Sequence, residues 1–137
     1  MPGKRKVIPI GISETSWTNV VPGTVANTKG PWFELDGSLS DSITGLCLHV
    51  IGPGDSTISD SDLLIDIGVG SAGAEAVVIP DLRSASDAGK DDFFESQLGY
   101  YDISIPSGSR VSVRFQSTLA GTDSNADMDI GSVGIAI

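Results

Sequence analysis

Arg110-Val111-Ser112-Val113-Arg114-Phe115-Gln116 is the stretch that decides the fold. Val111, Val113 and Phe115 share one parity, and Arg110, Ser112, Arg114 and Gln116 share the other. Side chains of a strand alternate between its faces, so this is a half-buried strand. One face meets a core; the other meets water or a neighbouring subunit.

The same period recurs outward from there. In Asp62–Gly70, Leu63, Ile65, Ile67 and Val69 face one way and Leu64, Asp66, Gly68 and Gly70 the other. In Thr44–Ile51, Leu46, Leu48 and Val50 oppose Cys47 and His49, and Tyr101, Ile103 and Ile105 alternate with Tyr100, Asp102 and Ser104. Weaker strand signals stand at Lys6–Ile12, Trp17–Val21, Trp32–Asp36, Glu75–Ile79 and Met128–Ile137. In the last of these, Met128 and Ile130 share a parity that Val133, Ile135 and Ile137 leave, which predicts a bulge near Gly131–Gly134. Turn residues separate the segments, as at Pro22-Gly23, Lys29-Gly30-Pro31, Gly52-Pro53-Gly54-Asp55 and Pro106-Ser107-Gly108. The sum is an all-β chain: an antiparallel β-sandwich, jelly-roll-like, of eight or nine short strands. Asp81–Leu98 breaks the rhythm and predicts one long loop insertion at about 81–98. Within it, the adjacent Phe93 and Phe94 among charges call for cover, from the core or from a partner subunit.

At 137 residues the chain is one domain, able to bury a core without disulfides or metals. Seventeen glycines and seven prolines argue against a helical bundle. Cys47 is the single cysteine and reads as a small buried strand residue, so no intrachain disulfide forms. The net charge is −10, yet Lys4, Arg5 and Lys6 supply three of the eight basic residues. Residues 1–6 are therefore expected to be a flexible basic N-terminal arm, and 7–137 a single sandwich domain. So acidic a body repels phosphate backbones and anionic membranes, which leaves neither nucleic acid nor membrane as an expected partner. The arm itself could dock onto an acidic neighbour.

The candidate chemistry is thin. Gly68-Val69-Gly70-Ser71-Ala72-Gly73 fits a dinucleotide pattern, but six Val/Ile-rich residues and Pro80 follow where a helix must open. A turn between antiparallel strands is the better reading. Asp123, Asn125, Asp127 and Asp129 place oxygens at alternate positions, as a calcium loop begins. Met128 stands where that loop needs glycine, so they are weak metal candidates beside a solvated acidic turn. Asp55, Asp60 and Asp62 rank with them. The one histidine, His49, sits mid-strand with no nucleophile motif, so no catalytic residue and no cofactor is expected. Trp17 and Trp32 read as core or interface before carbohydrate platforms.

Leu64-Ile65-Asp66-Ile67-Gly68-Val69-Gly70, then Glu75-Ala76-Val77-Val78-Ile79-Pro80, then Ile105-Pro106-Ser107-Gly108-Ser109-Arg110-Val111-Ser112-Val113-Arg114-Phe115-Gln116-Ser117 resemble small β-sandwich virion proteins of tailed bacteriophages. The resemblance covers about half the chain. It implies a non-enzymatic virion component, most simply a capsid decoration (cement) protein, made in the host cytoplasm and carried on the capsid surface. The implied partners are the major capsid protein or another virion protein, and further copies of the chain, often as a trimer. The alternative is a receptor- or carbohydrate-binding module of a tail fibre or cell-surface protein. For the interface, the expected residues are Lys4, Arg5, Lys6, Phe93, Phe94, Arg110 and Arg114. The two outward arginines suit bidentate pairing with carboxylates across a contact, or simple solvation.

Overall fold

The computed structural model describes residues 4–12, 17–51, 61–86, 95–118 and 128–136. Among these are nine strands and no helix: β1 (Lys6–Ile10), β2 (Thr18–Val20), β3 (Phe33–Asp36), β4 (Ile43–Ile51), β5 (Ser61–Val69), β6 (Ala76–Ser86), β7 (Glu95–Ile105), β8 (Val111–Ser117) and β9 (Met128–Ala136). Their antiparallel pairing is nested: β5 with β6, β4 with β7, β3 with β8, and both β1 and β2 with β9. One long hairpin, bent at the glycine turn between β5 and β6, accounts for all of these pairs. Rolling it up adds β4–β9 and β5–β8 and closes two sheets, ordered β1-β9-β4-β7 (with β2 also on β9) and β3-β8-β5-β6. This is the jelly roll expected from the sequence, with its first strand position split into β1 and β2.

At the bend, Gly70 and Gly73 take φ of 134° and 83°, and the Ala74 amide donates to the Ser71 carbonyl at 2.9 Å. That conformation favours glycine, and it is what the apparent dinucleotide pattern encodes. The core lies between the sheets. Ile10, Leu46, Leu48, Val50, Met128 and Ile130 meet Leu63, Ile65, Ile67, Val111, Val113 and Phe115, none more than 1% exposed. Tyr101 and Ile103 pack against them, while Tyr100 points out.

Two sequence expectations need correction. The insertion at about 81–98 is largely strand: β6 runs on to Ser86 and β7 begins at Glu95. Bulges hid the alternation. Opposite Ile65 and Ile67 the β6 partners are Leu82 and Ile79, so Pro80 and Asp81 face the single Asp66. Asp81 takes φ of 50°, and Pro80 has no amide for the ladder. On β7, Gly99 (φ 99°) sits in a second bulge, where Gln97 and Tyr100 pair with His49 and Cys47. Each bulge adds a residue and flips the phase, so a period of two read across it fails. Phe93 and Phe94 lie outside the described residues.

The second correction concerns β9, which pairs with β1 and β4 without any shift. Met128, Ile130, Ser132, Gly134 and Ala136 are buried inward all along it, leaving Val133 and Ile135 on the outside. The inward residues shrink because Ile10 and Ile43 fill the space. A Cβ on Gly134 would stand 2.8 Å from Ile43 Cγ2 and 3.1 Å from Ile10 Cδ1. The apolar residues that suggested a bulge face away from the core.

Candidate functional site

A jelly roll spends its inner faces on the core, so what it can present are its edges, loops and outer faces. The two outer faces differ in kind. On the β3-β8-β5-β6 sheet, the outward charged residues beside and along β8 and β5 are drawn into ion pairs. Asp66, with its side chain 5% exposed, accepts from Arg114 Nε at 2.9 Å on one oxygen. Its other oxygen accepts from Lys29 Nζ at 2.7 Å and from the Asp81 amide at 2.9 Å. Lys29 also donates to Asp81 Oδ1 at 2.9 Å and to the Leu64 carbonyl at 3.1 Å, so all three of its donors are used. Burial would raise the Asp66 pKa, but the Asp81 amide, Lys29 and Arg114 outweigh it and hold the carboxyl below its ordinary range.

Arg114 stacks its guanidinium 4.5 Å from the centre of the Trp32 ring. The indole in turn covers Gly68, where a Cβ would come within 2.6 Å of Trp32 Cη2. Further along β8, Arg110 donates from Nε to Glu34 and from Nη1 to Glu75, each at 2.8 Å. Burial works against ionisation of Glu75, yet backbone amides and Arg110 keep its pKa low; the two carboxylates raise that of Arg110. An open groove of about 480 Å³ beside Arg110 is walled by small residues such as Gly37, Ala72 and Gly108. The charge at its wall is already neutralised. The segment before β3 joins this closure, since the Asn27 and Gly30 amides donate to the Ser117 and Phe115 carbonyls.

Among the described residues, the outer face of the β1-β9-β4-β7 sheet has no such network of ion pairs. Its cross-strand rows follow from the register. Val7, Ile135, Gly45 and Asp102 form one row, and Pro9, Val133, Cys47 and Tyr100 the next. The Tyr100 ring leans over Gly45, and Ile12 and Trp17 fold over Gly131 in the third row, where His49 meets Trp17 edge-on at 6.1 Å. Val7 is 62% and Tyr100 53% exposed. The Tyr100 hydroxyl ionises above its ordinary pKa through burial and a hydrogen bond with Asp102, while Arg5 is near enough to oppose the shift.

Of the expected interface residues, Arg110 and Arg114 are thus held by carboxylates of their own chain. Lys6 opens β1 and pairs with Asp41 at 2.8 Å; Lys4 and Arg5 are exposed just before it. Asp123, Asn125 and Asp127 lie outside the described residues, as do Asp55 and Asp60. Asp129 is on β9 and accepts from Asn19 Nδ2 at 3.1 Å, and Asp62 pairs with Arg83 at 3.4 Å. Among the described residues no three metal-binding side chains gather. Trp32 already carries a guanidinium on its ring, which argues against a sugar platform there. Sequence reading missed Lys29, Glu34, Asp66, Glu75 and Asp81 as partners. A lone carboxylate in the apolar run Leu63–Val69 was the available signal for Asp66.

No protein-family model and no curated protein sequence matches the chain. Solved structures do match in fold. A protein of the T=13 particle of infectious bursal disease virus aligns over 98% of this chain and 31% of its own, at 12% identity and a TM-score of 0.50. A protein of the same virus's Gx strain aligns over 98% and 33%, with 15% identity and a TM-score of 0.47. One from its T=1 particles aligns over 98% and 32%, with 12% identity and a TM-score of 0.48. The chain spans about a third of the length of these proteins, and what it shares with the first of them is the all-β sandwich.

Proposed function

We propose that this chain is a non-enzymatic structural protein of a virus particle, most specifically a capsid decoration protein. It is made in the host cytoplasm, assembles as a homo-oligomer, and binds the major capsid protein or another virion protein at the capsid surface. The observation that carries this reading is the jelly roll itself, matched across 98% of the chain by a protein of a virus particle. The resemblance of Ile105–Ser117 to small virion proteins of tailed bacteriophages adds the decorating role. An open apolar sheet face supports assembly, because a contact made many times on a symmetric shell gains strength by repetition and needs no deep pocket.

Gradient-purified particles from cells that carry the gene test the proposal by mass spectrometry and immunogold labelling. The chain is expected on the particle surface in regular copy number. Recovery only in the free protein fraction would overturn it.

A further inference from the structure

An antiparallel sheet with one face on the core ordinarily turns polar residues outward on the other. In two of its cross-strand rows the β1-β9-β4-β7 sheet does not. Val7, Pro9, Val133, Ile135 and Tyr100 occupy outward positions there, with Asp102 at the rim and His49 and Gln97 in the next row. Two of the sheet edges, by contrast, are poor places for strand addition. β1 carries Pro9, and β6 carries Pro80 next to a bulge, both of which obstruct strand addition. The other outer face carries its own ion pairs on β8 and β5, beside exposed Val77 on β6. The candidate surface for a protein contact is the pair of apolar rows on the β1-β9-β4-β7 face.

Its charges indicate the occupant. Lys4 and Arg5 lead into β1 at one side of the face, and Asp102 stands on β7 at the other, in the same cross-strand row as Val7. A two-fold axis lying between two such faces, parallel to the strands, sets β1 of one copy against β7 of the other and keeps each row over itself. The basic corner of each copy then meets Asp102 of its partner, and the Val133–Cys47 centre meets its own equivalent. Such a surface is self-complementary, as an isologous contact requires.

We propose that the outer face of the β1-β9-β4-β7 sheet is the contact through which two copies of this chain pair about a two-fold axis. The pairing deepens the particle reading and rests on it for its setting. The contact is one small sheet face, so it forms in the micromolar range.

Sedimentation velocity of the full chain, from about 1 to 100 μM, reads the pairing. A concentration-dependent dimer is expected, with Cys47 reacting more slowly with a maleimide as dimer forms. Ile135→Asp should weaken the dimer at least about tenfold while the unfolding transition stays cooperative. Arg5→Glu should weaken it too, and Arg5→Glu with Asp102→Arg should restore it, a rescue that loss of folding cannot imitate. A monomer throughout overturns the pairing, as does an oligomer that Ile135→Asp leaves intact or a charge swap that fails to rescue. A monomeric chain found on particles refutes the pairing and keeps the particle reading; a dimer absent from particles does the reverse.

Discussion

The two outer faces of this sandwich have the same backbone and opposite chemistry. Both carry an aromatic ring laid over a glycine, Trp32 on Gly68 and Tyr100 on Gly45. On the β3-β8-β5-β6 sheet the ring is topped by Arg114, and the charges around it are satisfied within the chain. On the β1-β9-β4-β7 sheet the ring is 53% exposed, with Asp102 on its hydroxyl and Val133, Cys47 and Pro9 along its row. A face that satisfies itself adds to the stability of the fold. A face left apolar adds little until something covers it. Substitutions on the first should therefore change stability, and those on the second association.

Asp66→Ala should break this contrast most severely. The carboxylate holds Lys29, Arg114 and the Asp81 amide together, and its loss leaves two cations partly buried without their shared anion. Removing one partner of a buried ion pair costs 3–5 kcal/mol; with Lys29 and Arg114 still 19% and 29% exposed, about 3 kcal/mol is expected. Urea unfolding measures it, and the dimer constant should stay as in the wild type.

Acid sharpens the same point. Asp66 and Glu75 have folded-state pKa values below their ordinary ones, so each adds stability that is fully present above the unfolded value of about 4. That contribution fades as pH falls through the lower folded values. The stability gap between wild type and Asp66→Ala should therefore be constant from neutral pH to about 5 and shrink below about 4. A gap that holds its size at pH 2 would show that the carboxylate's charge is not what closes this face.

Much of this was legible in the sequence, for reasons that also explain the rest. The inward parity of β5 and β8 is as the alternation predicts, because neither run carries an extra residue; Tyr101, Ile103 and Ile105 keep theirs although the ladder to β4 shifts between Asp102 and Ile105. Alternation failed at Pro80-Asp81 and Gly99, where one added residue reverses the phase. It misled at β9, because the core there is filled by Ile10 and Ile43 from other strands. The outward direction of Arg110 and Arg114 was readable locally. Their partners were not: Glu34 lies 76 residues from Arg110, and Lys29 lies 37 from Asp66. Only the rolling of the hairpin brings them together.

Arg114→Lys is the next smaller test. A lysine keeps the charge for Asp66 but loses the planar group that stacks on Trp32, so a loss of about 1 kcal/mol with a change in tryptophan fluorescence is expected. An unchanged emission spectrum would mean that the indole does not depend on the guanidinium for its place.

The smallest effects separate two buried serines, one from each sheet. Ser132 on β9 donates to the Cys47 carbonyl at 2.8 Å, whereas the buried Ser112 hydroxyl on β8 has no hydrogen-bond partner among the described residues. Ser112 points to the outer side of its sheet and is nevertheless 0% exposed. That is what a self-closed face predicts: its outward positions have become interior. An unpaired buried hydroxyl carries a desolvation cost without a compensating bond, so Ser112→Ala should stabilise by up to about 1 kcal/mol. Ser132→Ala should destabilise by about the same amount through its lost bond. Opposite signs for two identical substitutions would place the outer face of β8 inside the protein energetically. Equal losses at both would mean that water reaches Ser112 and that the face is less closed than its ion pairs indicate.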